Sequence, residues 1–397
     1  MSKLVLSRDV QIPDPLRIGR YRRSPEFGPR ILFFSGGSAL NEISRTLKAY
    51  THNSIHLVTP FDSGGSSAKL RRAFAMPSIG DLRSRLMALA DEAITGHPEV
   101  YKLFGYRLPA NAAPAELTAQ LDDIVAGKNP LVENISNPMR RLIRSQLEHF
   151  RDAMPDDFDL RGASIGNLIL AGGFIGNHQH LEPTIFLFSK LVNVLGTVRA
   201  VVNTNLHLGA ELEDGSCIIG QHRLTGKETA PLSSPINKVF LSSDAEQKVL
   251  TQAVLRKKNR KLISQADIIC YPPGSFYTSL IANLMPKGVT TAIAANGCPK
   301  VYVPNLGTDP EQIGLSAEAA VETLLDHLRT GIENGAPIDK SLNFVLIDKN
   351  NKTPMAKFQK GFLKDIGVQT VETALVSKKS APFYDPELLV TTLLSLT

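Results

Sequence analysis

The sequence is poor in cysteine and has no apolar stretch that approaches the roughly 20 residues of a membrane span. Its three cysteines, Cys217, Cys270 and Cys298, are odd in number and lack metal-binding spacing, so they predict free thiols in a reducing compartment. Residues 1–11 contain no long apolar core of the kind that signal peptides have. We therefore expect a soluble cytoplasmic protein with no membrane partner.

Motifs that define several enzyme classes are also missing. The sequence has no G-x-G-x-x-G fingerprint and no Walker lysine, which weighs against NAD and P-loop ATP binding. No serine lies in a G-x-S-x-G elbow, so no catalytic triad is supported. His178 and His180 have no third ligand at a suitable spacing, which disfavours a metal site there.

Composition and charge indicate an ordinary folded chain. Of the 397 residues, 43% are hydrophobic and 21% charged, which is enough apolar surface to build a large core. The net charge of +6 suits an anionic ligand but does not select one. The basic run from Arg256 to Lys261 has no interleaved aromatic residues, so we do not expect nucleic-acid binding.

Short apolar runs alternate with helical patterns and predict a parallel α/β sheet. Strands are expected at 31–34, 55–59, 198–202, 206–212, 217–219, 236–241, 267–271, 300–303, 344–347 and 368–371, with a hairpin at Asp214-Gly215. Helices are expected around 40–47 and over 81–91, 165–175, 182–195 and 246–264, and about 92–158 reads as a helical insertion. Residues 1–29 are polar and proline-bearing, which predicts an extended arm before a single domain at 30–397.

Loops rich in glycine and serine follow three of the predicted strands, at 35–38, 62–67 and 273–275. Ligands of open parallel sheets bind where strand ends meet helix N-termini, and glycine lets backbone N–H groups approach an oxyanion. We expect phosphate-binding groups at Gly36, Gly37, Ser38, Gly64, Gly65, Ser66, Ser67, Gly274 and Ser275. Each serine is open to a second reading as a helix cap.

Two charged residues beside the second loop complete this interpretation. Arg71 can make bidentate contacts to phosphate. Asp62 directly follows a predicted strand, where its carboxylate can bind magnesium, accept from a ligand hydroxyl, or simply cap a turn.

The same loops carry a resemblance to a known family. Gly36-Gly37-Ser38, Asp62 to Ser67 with Leu70-Arg71, Gly166-Asn167-Leu168, Pro273 to Ser279 and Asn305-Leu306 together resemble the CofD/YvcK family, over roughly 30–315. That family holds 2-phospho-L-lactate transferase and the gluconeogenesis factor. The resemblance implies a Rossmann-like, doubly wound, mostly parallel sheet with a small β-hairpin region. It also implies ligand contacts from Asn167, Thr278 and Asn305.

The two branches of the family imply different functions. The transferase branch moves a phospholactyl or related group from a guanylyl diphosphate-linked donor to a deazaflavin, with Mg²⁺, and would make Asp62 a metal ligand and catalytic group. The other branch binds UDP-sugars and regulates carbon use and wall synthesis. The sequence of the Gly64–Ser67 loop is more similar to that of this second branch. Two acids typical of the family are replaced, by Ser63 and by Gln221.

The sequence therefore predicts binding of a nucleotide-linked phosphorylated small molecule. A transferase of the 2-phospho-L-lactate type is the first reading, and a non-catalytic UDP-sugar-binding regulator is the alternative. The oligomeric state, a homo-oligomer included, stays open.

Overall fold

Seven parallel strands and a separate three-stranded antiparallel sheet organise the computed structural model, which describes residues 9–93, 96–226, 229–332, 337–350, 353 and 356–397. The strands are β1 (Ile31–Ser35), β2 (Ile55–Val58), β3 (Thr197–Ala200), β4 (His207–Leu212), β5 (Cys217–Ile219), β6 (Ile236–Ser242), β7 (Ile268–Tyr271), β8 (Lys300–Tyr302), β9 (Phe344–Asp348) and β10 (Gln369–Thr373). Each predicted strand is present, with its ends shifted by no more than about two residues.

The order of the large sheet is β10-β9-β8-β7-β1-β2-β3, and neighbouring strands are parallel. The chain runs outward from β1 to β3, returns to β7 on the other side of β1, and continues outward to β10. The strand order therefore reverses between β1 and β7. This confirms the predicted doubly wound sheet and marks the switch point where such folds bind ligands.

Helices connect and cover these strands. They are α1 (Pro15–Arg23), α2 (Asn41–Leu47), α3 (Gly65–Phe74), α4 (Gly80–Leu89), α5 (Pro98–Gly105), α6 (Pro114–Ala126), α7 (Pro130–Glu133), α8 (Met139–Ala153), α9 (Ile165–Gly176), α10 (Leu181–Leu191), α11 (Gln221–Leu224), α12 (Lys257–Gln265), α13 (Ala282–Leu284), α14 (Val289–Ala295), α15 (Ala317–Arg329), α16 (Phe362–Asp365) and α17 (Pro386–Ser395). A π-helix, Phe276–Ile281, directly precedes α13. No helix among the described residues is long and apolar enough to span a bilayer.

Both faces of the sheet are buried. Along β1, Leu32 and Phe34 belong to one apolar cluster, while Ile31 and Phe33 belong to another on the opposite face. Alternate residues of a strand point to opposite faces, so a strand covered by helices on both sides reads as a continuous apolar run.

The helical insertion between β2 and β3 is built around α9, which is buried from Ile165 to Phe174. A Cβ at Gly172 would lie 1.8 Å from the carbonyl oxygen of Gln146 in α8, so only glycine allows these helices to approach so closely. The helical character predicted for 92–158 and for 165–175 is confirmed by α5 to α9.

Three local predictions were wrong. Residues 15–23 form α1 rather than an extended arm, because Asp14 caps the helix and Pro15 occupies its first turn, where proline is tolerated. Residues 246–256 are not helical, since Leu250 pairs with Ser242 and the N–H of Leu255 donates to Lys287. The loop after β2 is shorter than expected, because α3 already begins at Gly65.

Candidate functional site

The loops after β1, β2 and β7 meet at the carboxyl end of the sheet. A Cβ at Gly36 would lie 2.7 Å from Ser279 Oγ and 2.8 Å from Thr59 Cγ2, so the loop after β1 packs tightly against both neighbours. A Cβ at Gly274 would lie 3.7 Å from that of Ala39. The predicted convergence of these loops is therefore present in the structure.

Gly37 is the open point of this crevice. Its φ is +60°, a left-handed conformation that favours glycine, and a Cβ built there would meet no atom within 4 Å. Ser38 beside it is exposed at the approach to α2. The backbone of Gly37 and Ser38 is thus accessible to a ligand in the crevice.

A buried arginine supports the loop after β1 from behind. Arg85 in α4 is 1% exposed, and its Nη1 donates to Ser44 Oγ at 2.7 Å while Nη2 lies 3.4 Å from the carbonyl oxygen of Gly37. Burial lowers the pKa of Arg85 to about 10, which leaves it charged at neutral pH. The sequence analysis assigned no role in the site to Arg85, although its spacing places it on the buried face of α4 with Leu82, Leu86 and Leu89.

Arg71 holds the loop after β2 together. The side chain is 6% exposed, and Nη1 donates to the carbonyl oxygens of Phe61 and Asp62, both at 3.0 Å. Nε and Nη2 donate to Asn205 Oδ1, and Nη2 also donates to the carbonyl of Leu206 at 2.6 Å. These contacts use the guanidinium on protein oxygens rather than turning it toward a ligand, in contrast to the phosphate contact expected from the sequence.

The position of the expected second acid is occupied by a serine–histidine pair. Ser63 Oγ lies 2.8 Å from His222 Nδ1, and the N–H of His222 approaches the same hydroxyl at 3.3 Å. His222 follows β5, so the small sheet reaches the ligand loops through this pair. Gln221 beside it is buried, and its Oε1 has no hydrogen-bond partner among the residues that the structure describes.

The serines of the α3 segment have separate surroundings. Ser66 Oγ accepts from Asn167 Nδ2 at 2.9 Å, which joins the loop to α9. Ser67 is buried and accepts from Ser78 Oγ at 3.1 Å, so it packs inside the protein. Gly64 is the N-cap residue of α3, and its N–H donates to Asp62 Oδ1. Ser66 and Asn167 are therefore close together, as a shared site requires, whereas Ser67 lies beneath them.

The helix that follows β7 has its N-terminus occupied by the protein's own carboxylates. The N–H of Phe276 donates to Asp309 Oδ2 at 2.8 Å. The N–H groups of Tyr277 and Thr278 donate to Glu311 Oε2 at 2.9 and 2.8 Å, and the Thr278 hydroxyl donates to Glu311 Oε1. Thr278 was expected to contact phosphate, but the structure commits its donors to Glu311. Burial and the neighbouring Asp309 raise the pKa of Glu311 to about 7.

Asn305 fixes the loop between β7 and this helix. Its Oδ1 accepts from the N–H of Gly274 and its Nδ2 donates to the carbonyl of the same residue, both at 2.8 Å. Ser275 is half-buried, and within the described part of the chain its side chain does not cap the following helix. Asn305 thus shapes the crevice by holding Gly274.

The residues of the site are a partial fit to magnesium. Asp62 Oδ1 accepts from the N–H of Gly64 at 3.1 Å, and Ser63 is engaged by His222. No group of three or more His, Cys, Asp or Glu residues that could hold a metal occurs among the described residues. Mg²⁺ can bind through one carboxylate when waters and ligand phosphates supply the remaining oxygens. Asp62 is suited to that arrangement, but a two-carboxylate site does not fit.

The comparisons with known proteins cover the same loops. Residues 31–378 match the family described as "2-phospho-L-lactate transferase CofD". The chain belongs to the CofD family. This CofD-family protein is 31% identical over 328 residues to the "Putative gluconeogenesis factor" of Thermoanaerobacterium thermosulfurigenes, a match that covers 82% of this chain and 80% of that protein. It is 29% identical over 307 residues to the "Gluconeogenesis factor" of Bacillus subtilis, covering 76% of each.

A solved structure resembles this CofD-family protein over nearly its whole length. The protein BH3568 from Bacillus halodurans superposes with a TM-score of 0.67 at 23% identity, covering 92% of this chain and 99% of that one. At this level of identity the likeness supports the fold, which agrees with the doubly wound sheet described above. The resemblance drawn from the sequence is therefore confirmed at the level of family and fold.

Proposed function

We propose that this protein binds a nucleotide-linked phosphorylated ligand, with a UDP-sugar as the leading class, in the crevice between β1 and β7, and that it acts as a ligand-responsive regulator. The observation that carries the proposal is the open backbone of Gly37 at the switch point of the sheet, above the buried charge of Arg85. The names of the curated relatives, gluconeogenesis factors, support a regulatory role.

The crevice has the chemistry that a diphosphate needs. Backbone N–H groups of a glycine-rich turn can donate to phosphate oxygens without a side chain in the way. The guanidinium of Arg85 places a positive charge behind the turn. Its hydrogen bonds to Ser44 Oγ and to the carbonyl of Gly37 fix it in that position. The helix after β7 contributes less, since Asp309 and Glu311 already occupy its N-terminus.

A transferase of the 2-phospho-L-lactate type is the second candidate, and two observations favour it. The family description is that of the transferase, and Asp62 lies in the loop after β2, where the resemblance implies a metal ligand. Bound Mg²⁺ would neutralise charge on the transferred group, which is a large part of what phosphoryl chemistry requires. Position 63, where the resemblance implies a second acid, is a serine bonded to His222 and supplies no carboxylate for the metal, which favours the regulator.

Calorimetric titration with UDP, GDP and UDP-sugars, with and without Mg²⁺, tests the binding proposal. We expect saturable binding, and we expect Gly37→Ala to weaken it at least about tenfold because the new methyl group projects into the crevice. Gly367→Ala is the matched control: Gly367 also has a positive φ, +77°, and an open Cβ position, but it precedes β10 at the opposite end of the sheet. Both variants carry the same kind of backbone strain, so equal affinities would contradict the proposed site.

Product formation separates the two candidates. The assay supplies a guanylyl diphosphate-linked phospho-acid donor, a deazaflavin acceptor and Mg²⁺. Binding without product supports the regulator. Turnover that is lost in Asp62→Asn supports the transferase, and failure of every nucleotide ligand to bind would refute both.

A further inference from the structure

A large groove lies between the outer edge of β6, α12 and α14. Its volume is about 1760 Å³, and its lining includes Lys238 and Phe240 of β6, Lys257 and Lys261 of α12, and Ala295 of α14. Among the described residues, none from the loops after β1, β2 and β7 lines it, so the groove is separate from the nucleotide crevice. Neither the family description nor the names of the relatives assign a role to it.

Large apolar side chains are exposed along the segment 249–255, which forms one side of the groove. Leu250 is 65% exposed and Val254 is 60% exposed, and both line the groove. Val249, next to Leu250 in the chain, is 46% exposed. Leu284 and Met285 add apolar surface to the lining. Single exposed apolar residues are ordinary, whereas a contiguous apolar surface marks an interaction site.

Hydrogen bonds hold the backbone of this segment on both sides. The N–H of Thr251 donates to the carbonyl of Leu241 at 3.0 Å. The N–H of Leu255 donates to the carbonyl of Lys287 at 3.0 Å, and the N–H of Lys287 donates to the carbonyl of Ala253 at 2.8 Å. The exposed apolar side chains are thus presented on an ordered backbone, which loses little conformational entropy when a partner binds.

Positive charge surrounds the apolar surface. Six basic residues line the groove: Lys238, Lys257, Lys258, Arg260, Lys261 and Lys287. The described lining residues include no Asp or Glu. Lys258 lies 3.5 Å from Glu182 of α10, and the other five form no ion pair within the described part of the chain. The groove therefore combines an apolar floor with positive charge that the protein does not neutralise.

Size and charge select among the possible occupants. Small-molecule pockets measure about 300–1,000 Å³, whereas this groove has the volume of about four helical turns at roughly 400 Å³ each. A second copy of the chain, bound through the same surface, would bring the two sets of cations together. A flat bilayer cannot reach the floor of a groove. Nucleic acids stack on exposed aromatic residues, and the exposed apolar residues here are aliphatic.

The elements around the groove favour a helix over a strand. β6 is an edge strand of the small sheet, and its exposed Lys238 is the type of residue that hinders the addition of another strand. On the other side, α14 presents the short, exposed side chains of Thr291 and Ala295, which allow a helix to approach closely. Helices dock in apolar grooves through one apolar face.

We propose that this groove is a docking surface for an acidic amphipathic helix of a partner protein. The apolar face of that helix covers Leu250 and Val254, and its carboxylates lie beside the basic residues of α12. Complementary charge speeds the encounter and disfavours basic partners. The surface goes beyond the proposed nucleotide binding and does not depend on it.

A synthetic peptide of about 18 residues, or five helical turns, tests the inference by fluorescence anisotropy with the full chain. Leucine forms its apolar face at positions i, i+3, i+4 and i+7, and glutamate occupies the other positions. The matched control peptide carries lysine in place of every glutamate. We expect saturable binding of the acidic peptide that weakens at least about tenfold between about 0.05 M and about 0.5 M salt, and no binding of the lysine peptide.

Two pairs of variants place the peptide in the groove. Leu250→Ser should weaken binding about tenfold, because it removes apolar surface that the peptide covers. Leu16→Ser is the matched control, since Leu16 is 67% exposed on α1. Lys261→Glu should weaken binding about fivefold by charge reversal, whereas Lys364→Glu, at an exposed lysine of α16, should leave it unchanged.

Phosphatidylglycerol vesicles, a DNA duplex and sedimentation velocity of the chain alone cover the other occupants. Equal binding of both peptides, binding of neither, or unchanged affinity in both Leu250→Ser and Lys261→Glu overturns the inference. Binding of vesicles or DNA, or dimerisation, that is lost in Leu250→Ser also overturns it. Nucleotide binding at Gly37 is measured separately, so none of these results bears on the proposed function.

Discussion

Arg71 allows the sharpest test of what the structure changes about this protein. The sequence suggests a phosphate-binding arginine, whereas the structure gives it a scaffolding role. Arg71→Lys retains the charge but cannot reach the same set of oxygens, because a lysine ammonium is one compact donor group rather than a planar fork. In the variant, the carbonyl oxygens of Phe61, Asp62 and Leu206 compete for the single lysine ammonium group. Asn205 Oδ1 loses the two guanidinium N–H donors that it accepts from in the unmodified protein.

The magnitude follows from those contacts. Each buried acceptor left without a donor costs about 1–3 kcal/mol, and a lysine can satisfy some of them, so we expect a loss of about 3 kcal/mol in the free energy of unfolding. Urea denaturation at pH 7 measures it. Arg72→Lys is the matched control, since Arg72 is the next residue and is exposed; its effect should be within about 0.5 kcal/mol.

Ligand titration of the same variants completes the test. If Arg71 is a scaffolding residue, Arg71→Lys should lower the stability, and any loss of nucleotide affinity should follow from distortion of the loop after β2. If Arg71→Lys unfolds at the same urea concentration as the unmodified protein but no longer binds nucleotide ligands, the scaffolding argument is wrong and Arg71 contacts the ligand directly.

Two further predictions follow from the site. Burial and the neighbouring Asp309 raise the pKa of Glu311, so the folded protein holds this proton more tightly than the unfolded chain; its contribution to stability is full below about pH 4.5 and is lost as pH rises through the raised pKa. Glu311→Gln should flatten that part of the stability–pH curve, and parallel curves from pH 5 to 8 would contradict this assignment. Ser63→Asp places a second carboxylate beside Asp62, so calorimetry should show tighter Mg²⁺ binding than in the unmodified protein; an unchanged affinity would mean that the two carboxylates do not converge.

The occupied helix N-terminus after β7 changes how the site is understood. In the sequence, Pro273 to Ser279 has the same appearance as the other two glycine-bearing loops. In the structure, Asp309 and Glu311 accept from the first N–H groups of the helix, and Asn305 holds Gly274. This loop is therefore shaped by carboxylates from the segment after β8, and the accessible backbone of the crevice is that of Gly37.

Each error in the predicted elements has its own physical cause. The segment 246–256 contains residues with adequate helix propensity, but pairing with Ser242 and Lys287 satisfies its backbone groups instead. Helix propensity is worth only tenths of a kcal/mol per residue, so tertiary hydrogen bonds override it. At the N-terminus the prolines of residues 1–29 predicted an extended arm, but Pro15 lies in the first turn of α1, which packs on α17 through Arg17 and Ser395.

The sequence alone determined the alternation of strands and helices, the strand-end loops and the family, because apolar periodicity and glycine-serine turns are local properties of the chain. Tertiary structure decided which polar groups in those loops remain available. Arg71 and Asn205 are 134 residues apart, and Thr278 and Glu311 are 33 apart. Since a donor that is used by one acceptor is not offered to a ligand, the roles of Arg71, Thr278 and Ser63 depended on partners that no local pattern could reveal.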